Sequence, residues 1–140
     1  AMANYLSHST GAPGTMCQCA AIEALSGPQD EVEQMRQVFE QRRDLIVSRI
    51  NAMPYVSCLK PSGAFYVMVN LEKTIGKQID GQTIRSGDDF AKLLLEKSLV
   101  AVVPGIGFGA PNFMRLSYAI STENIAAGMD RLEAFLNRLQ

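Results

Sequence analysis

Apolar side chains in the first half of the chain recur at three, four and seven residue steps. Val32, Met35, Phe39, Ile46, Ile50 and Met53 form such a stripe. It predicts one long amphipathic helix over residues 28–53. Pro28 suits a first helical turn, Asp30 and Glu31 suit its positive end, and Pro54 stops it. Arg42 interrupts the stripe, but its aliphatic stem can lie along it. About 25 residues at 1.5 Å each make a rod of about 37 Å. A helix that long in a small protein commonly bridges two bodies.

The flanking patterns differ. Residues 5–15 mix Ser, Thr, two Gly and a Pro, and predict an irregular lead-in. Residues 16–25 are alanine-rich and apolar nearly all round, predicting a short buried helix that ends at Ser26-Gly27. Residues 55–59 and the aromatic, β-branched run Phe65-Tyr66-Val67-Met68-Val69 predict strands. Residues 72–85 are polar with two glycines, a surface excursion. Ser86, followed three residues on by Asp89, opens a helix whose buried face is Phe90, Leu93 and Leu94. Strands are expected at 99–103 and 113–118, on either side of a glycine-rich loop. Ser121 or Thr122 caps a last helix striped with Ile125, Met129, Leu132, Leu136 and Leu139.

Few strands, long amphipathic helices and no repeat specify an α/β (α+β layered) fold: a small mixed sheet covered by amphipathic helices. Composition agrees with a globular core, at 47% hydrophobic and 19% charged over 140 residues. The net charge of −1 supplies no basic field for nucleic acid or an anionic membrane. No apolar run approaches membrane-spanning length, and the start lacks a signal-peptide pattern. Ala1-Met2-Ala3, with alanine ahead of methionine, reads as a cloning remnant joined to an internal start point. Three cysteines, Cys17, Cys19 and Cys58, make an odd count that favours a reducing, cytoplasmic setting. Cys17-Gln18-Cys19 lacks a second ligand pair, so buried small side chains are the better reading and no metal is expected.

Chemistry is sparse. The single histidine, His8, sits among Ser7, Ser9 and Thr10, where a hydrogen-bonding role outweighs general-base work. Gly63, in Lys60-Pro61-Ser62-Gly63-Ala64, marks either a tight turn or a backbone that must approach something closely. Gly105-Ile106-Gly107-Phe108-Gly109 fails as a phosphate cradle because no helix follows, and a mobile flap is the expectation. Arg115 stands inside the apolar strand Phe113-Met114-Arg115-Leu116-Ser117. An always-charged fork there is either a structural ion pair or a clamp for a ligand carboxylate; the residues alone leave both open.

Several segments, taken in order, resemble the class I/II aminotransferases. They are Ser7-His8-Ser9-Thr10-Gly11-Ala12-Pro13 with Gln18-Cys19-Ala20-Ala21, then Arg42-Arg43-Asp44, then Pro61-Ser62-Gly63-Ala64-Phe65-Tyr66. Val100-Ala101-Val102-Val103-Pro104-Gly105 and Arg115-Leu116-Ser117-Tyr118-Ala119 complete the set. The pattern is most similar to the bacterial aspartate aminotransferase branch and spans nearly the whole chain. The resemblance implies a fold-type I aminotransferase small domain over residues 28–140. Residues 1–27 would be a segment and helix from the junction with a large domain. It implies a parent homodimer that uses pyridoxal phosphate, held on a lysine as an electron sink, to move an amino group between an amino acid and a 2-oxo acid. Aspartate is the expected amino acid.

By the same resemblance, Arg115 holds the substrate α-carboxylate, and Thr10 and Gly11 approach the neighbouring subunit's site. The cofactor lysine and phosphate-binding groups would lie upstream. Lys60, Lys73, Lys77, Lys92 and Lys97 match none of them. No catalytic or cofactor-binding residue is therefore expected within these residues. The chain alone should be inactive, bind no cofactor and tend to self-associate. Two alternatives remain: a related aminotransferase or lyase with another substrate such as an aromatic amino acid, and a stand-alone carboxylate-binding module.

Overall fold

The computed structural model describes residues 2–140. The chain divides into two compact units, one ending at Met35 and the other running Arg36–Gln140. The first contains helices α1 (Met2–Ser9) and α2 (Thr15–Ser26) and the start of α3 (Asp30–Ala52). Residues 2–9 are thus helical rather than irregular: Ser7, Ser9 and Thr10 hydroxyls donate back to the carbonyls of Asn4, Tyr5 and Leu6, sparing the helix its polar competition. Neither α1 nor α2 buries a residue. Met16 is 86% exposed and Leu25 85% exposed, so the expectation of a buried second helix is corrected. Cys17 and Cys19 are exposed for the same reason, not buried.

The second unit carries the core. Strands β1 (Ser57–Cys58), β2 (Tyr66–Asn70), β5 (Val103–Pro104) and β6 (Phe113–Ser117) form one sheet in the order β1-β2-β6-β5. Every pairing is antiparallel, so the α/β layering holds while the sheet is not mixed in direction. Side chains alternate across the two central strands. Val67, Val69, Met114 and Leu116 are buried; Tyr66, Met68, Arg115 and Ser117 occupy the other face. The buried set packs with Ile46 and Ile50 of α3, with Phe90 and Leu94 of α4 (Gly87–Ser98), and with Ile125, Met129 and Leu132 of α5 (Thr122–Leu136). Helices thus cover one face of the sheet and leave the second open.

Local chemistry fixes each junction. The Ser86 hydroxyl accepts the Asp89 N–H at 3.2 Å while the Asp89 carboxylate accepts the Arg85 N–H at 3.1 Å, closing the start of α4. Ser121, not Thr122, caps α5. Asn51 closes the end of α3 onto β1: its side chain accepts the Cys58 N–H and donates to the Cys58 carbonyl. Residues 72–85 are more than a surface excursion. Strands β3 (Gln78–Ile79) and β4 (Gln82–Thr83) form a hairpin through Asp80-Gly81, both with positive φ, and Ile79 and Ile84 enter the core.

Candidate functional site

Arg115 lies on the open face of the sheet, at mid-strand. Its strand partners are Met68 of β2 and Val103 of β5, so its backbone is paired on both sides. The Arg115 guanidinium carbon sits 4.4 Å from the centre of the Tyr66 ring and 4.6 Å from that of Phe108. Tyr66 is two residues along β2 from Met68, hence a diagonal neighbour on the same face and within reach of a long side chain. Phe108 comes from a single 3₁₀ turn, Gly105–Phe108, between β5 and β6.

That turn replaces the expected mobile flap. Gly105 is buried, and a Cβ on it would collide with the Ala110 carbonyl oxygen and stand 2.6 Å from that of Phe113. Gly109 closes the turn with φ +71°, and its N–H and that of Ala110 donate to the Ile106 and Gly105 carbonyls.

Among the described residues no carboxylate pairs with Arg115, although the other arginines of the second unit include several ion-paired ones. Arg49 binds Asp130 at 2.6 Å, Arg43 binds Glu40 and Asp44, and Arg138 binds Asp80. Asp44 and Asp80, held by these cations through side-chain hydrogen bonds, have carboxyls below their usual range. Arg42 differs again: its guanidinium lies 5.5 Å from the Phe39 ring, and its buried Nε lacks a hydrogen-bond partner. Beside Arg115 the open face carries a cavity of about 500 Å³, lined in part by Cys58, Tyr66, Met68 and Phe113. Burial pushes the Cys58 thiol above its ordinary value, which keeps it protonated. A second cleft, about 380 Å³, is lined by Arg85, Asp89, Lys92 and Glu96, whose charges cancel.

The remaining motif residues support this arrangement or lie apart from it. The Tyr118 phenol, buried, donates to the Ala64 carbonyl at 2.7 Å, tying the end of β6 to the turn before β2. Positive φ falls on Ala64 rather than Gly63, around whose missing Cβ there is open space. The tight-turn reading of Gly63 therefore has no support from its own conformation. Asp44 joins Arg43 to Lys60 at the turn's start. Thr10 and Gly11 follow α1 in the first unit, both exposed, and His8 is exposed in the last turn of α1. Tyr66 and Phe108 were within the sequence motifs without being singled out. The signal for Tyr66 was its two-residue offset in a strand expected to pair with that of Arg115. The signal for Phe108 was an aromatic between glycines.

A family model for aminotransferase class I and II matches residues 1–132. The chain belongs to this family. It is 44% identical to an aspartate aminotransferase of Geobacillus stearothermophilus over 136 residues, 97% of the chain and 34% of that relative. It is 43% identical to a probable aspartate/prephenate aminotransferase of Rickettsia felis, covering 95% of the chain and 33% of the relative. The crystal structure of an aspartate aminotransferase from Rhizobium meliloti superposes with a TM-score of 0.92 at 38% identity, over 99% of this chain and 35% of that one. The chain spans about a third of the length of the curated relatives it matches. Among the described residues no helix is long and apolar enough to cross a membrane.

Proposed function

We propose that this chain is the carboxylate-binding, C-terminal part of an aspartate aminotransferase, with Arg115 as the group that holds the substrate α-carboxylate. One observation carries the reading: a strand-mounted arginine, backed by two rings, has no acidic partner among the described residues. A fixed guanidinium fork binds a carboxylate through two parallel hydrogen bonds, which sets the direction of the adjoining Cα–H bond. A lysine would attract the same charge without fixing that direction. The names of the relatives support aspartate as the amino donor, and membership of the aminotransferase family supports a 2-oxo acid as the acceptor.

The family implies pyridoxal phosphate in the parent, and the residues present do not fit it. Lys60 and Lys97 are ion-paired with Asp44 and Asp80, Lys77 lies over the Tyr55 ring, and Lys73 and Lys92 are exposed. The turn Gly105–Phe108 is too short to offer a helix N-terminus to a phosphate. The cofactor lysine and phosphate-binding groups therefore belong, on this reading, to the two thirds of the parent outside the chain. The chain alone is inactive. Thr10 and Gly11 are assigned to the contact with the neighbouring subunit of a parent homodimer, and their exposure supports that. Free, exposed Cys17 and Cys19 support a reducing, cytoplasmic setting.

The test is substitution of Arg115 in the full-length parent. Loss of a desolvated charged contact costs about 2–5 kcal/mol, roughly 30- to several-thousand-fold in kcat/KM. Arg115→Ala should show that loss for amino and keto acids alike, and Arg115→Lys should recover only part of it. Near-normal efficiency in a folded Ala variant would make Arg115 structural. For the chain alone, borohydride reduction with pyridoxal phosphate should yield no stoichiometric adduct at a single lysine; such an adduct would contradict the inactive-fragment reading.

A further inference from the structure

We infer that Tyr66 and Phe108 are positioning residues that hold the Arg115 guanidinium ready for a carboxylate without using its hydrogen-bond donors. The inference rests on the carboxylate-binding reading of Arg115 above. A free arginine side chain samples many rotamers, and stilling it on binding weakens the complex. Proteins commonly still a binding arginine with an acidic neighbour. That neighbour takes N–H groups and cancels charge, so it competes with the ligand. Aromatic faces act differently. The ring quadrupole attracts the cation through its flat face, and the strong in-plane N–H donors stay available.

The geometry has this form. Two rings lie 4.4 and 4.6 Å from the guanidinium carbon, and no carboxylate among the described residues pairs with it. Neither ring serves the core: Tyr66 is 43% exposed and Phe108 51% exposed. Large rings left half-exposed beside a cation are poorly explained by folding alone, because each leaves apolar surface in water. Their mountings are rigid. Tyr66 is in the strand pairing that carries Arg115, and Phe108 is placed by a turn whose Gly105 admits no side chain. The rings also displace water from the flat faces of the cation, which strengthens whatever pair forms at its edge.

The experiment uses the full-length parent enzyme with its cofactor and measures the dissociation constant of succinate, a plain dicarboxylate, by titration calorimetry. Tyr66→Leu and Phe108→Leu should each weaken succinate by about 3- to 30-fold, the range of a cation–π contact at a partly desolvated site. Tyr66→Phe and Phe108→Tyr keep a ring and should stay within about twofold. Placed in an Arg115→Ala background, the Leu substitutions should cause no further loss, since they act through the guanidinium. Arg115→Ala that leaves succinate binding intact would overturn both this inference and the reading beneath it. Arg115→Ala that weakens binding would leave that reading standing. In that case, Leu variants with normal affinity, ring-keeping variants as weak as the Leu ones, or losses that persist without Arg115 would each overturn the positioning role alone.

Discussion

Three glycines in one loop should respond to the same substitution in three ways. At Gly105 an alanine Cβ would collide with the Ala110 oxygen and stand 2.6 Å from the Phe113 oxygen and 3.0 Å from the Phe113 carbonyl carbon. All three are backbone atoms, which cannot swing aside as a side-chain tip can. The turn must move away from the start of β6, and the cost belongs at the upper end of the overpacking range, about 3 kcal/mol. At Gly109 the space is open but φ is +71°, so alanine incurs only left-handed strain, about 1–2 kcal/mol. At Gly107 there is open space and no positive φ, so alanine should be neutral or add up to about 1 kcal/mol by restricting the unfolded chain. Urea unfolding followed by far-ultraviolet circular dichroism gives the ranking, since the chain has no tryptophan to report by fluorescence. Gly105→Ala should also weaken carboxylate binding in the parent, because Phe108 moves with the turn. Equal losses at all three positions, or a Gly107 loss as large as that at Gly105, would refute the close-packed turn.

Two further outcomes follow from a buried phenol and an exposed apolar helix. Tyr118→Phe removes the hydrogen bond to the Ala64 carbonyl and should cost about 1 kcal/mol at neutral pH. Burial raises the Tyr118 phenol above its ordinary value of 10.0, so the native state keeps its proton longer than the unfolded chain. The resulting stability is intact below about pH 10 and falls as pH climbs through the raised value; the Phe variant should show a flatter alkaline decline, and an unchanged slope would contradict this. The apolar residues of α2, including Met16, Ile22 and Leu25, are exposed and should drive self-association of the isolated chain. Light scattering across a dilution series should show species larger than a monomer that Ile22→Glu reduces; a strict monomer at high concentration would exclude it.

The legible part of the fold was the part built by local rules. The α4 cap at Ser86, the stripe of α5 and the alternation of β2 and β6 each follow from residues close in sequence, and the structure has them. The misread parts depend on what packs where. Residues 16–25 have core composition, yet α2 buries none of its residues. The hairpin at residues 78–83 hides Ile79 and Ile84 within a polar stretch too short for a period to emerge. Direction of strand pairing was equally illegible, because alternation is the same in parallel and antiparallel ladders. At the site, the odd placement of Arg115 was plain from sequence, while its rings were not: a diagonal contact needs the register, and Phe108 needs the turn.

The most direct measurement of the central claim is a crystal structure of the full-length parent with succinate bound. The account predicts two near-parallel contacts of about 2.7–2.9 Å between one succinate carboxylate and the Arg115 guanidinium, with the Tyr66 and Phe108 rings still against it. Succinate held by other groups, with Arg115 paired to an acidic side chain from the rest of the parent, would contradict it.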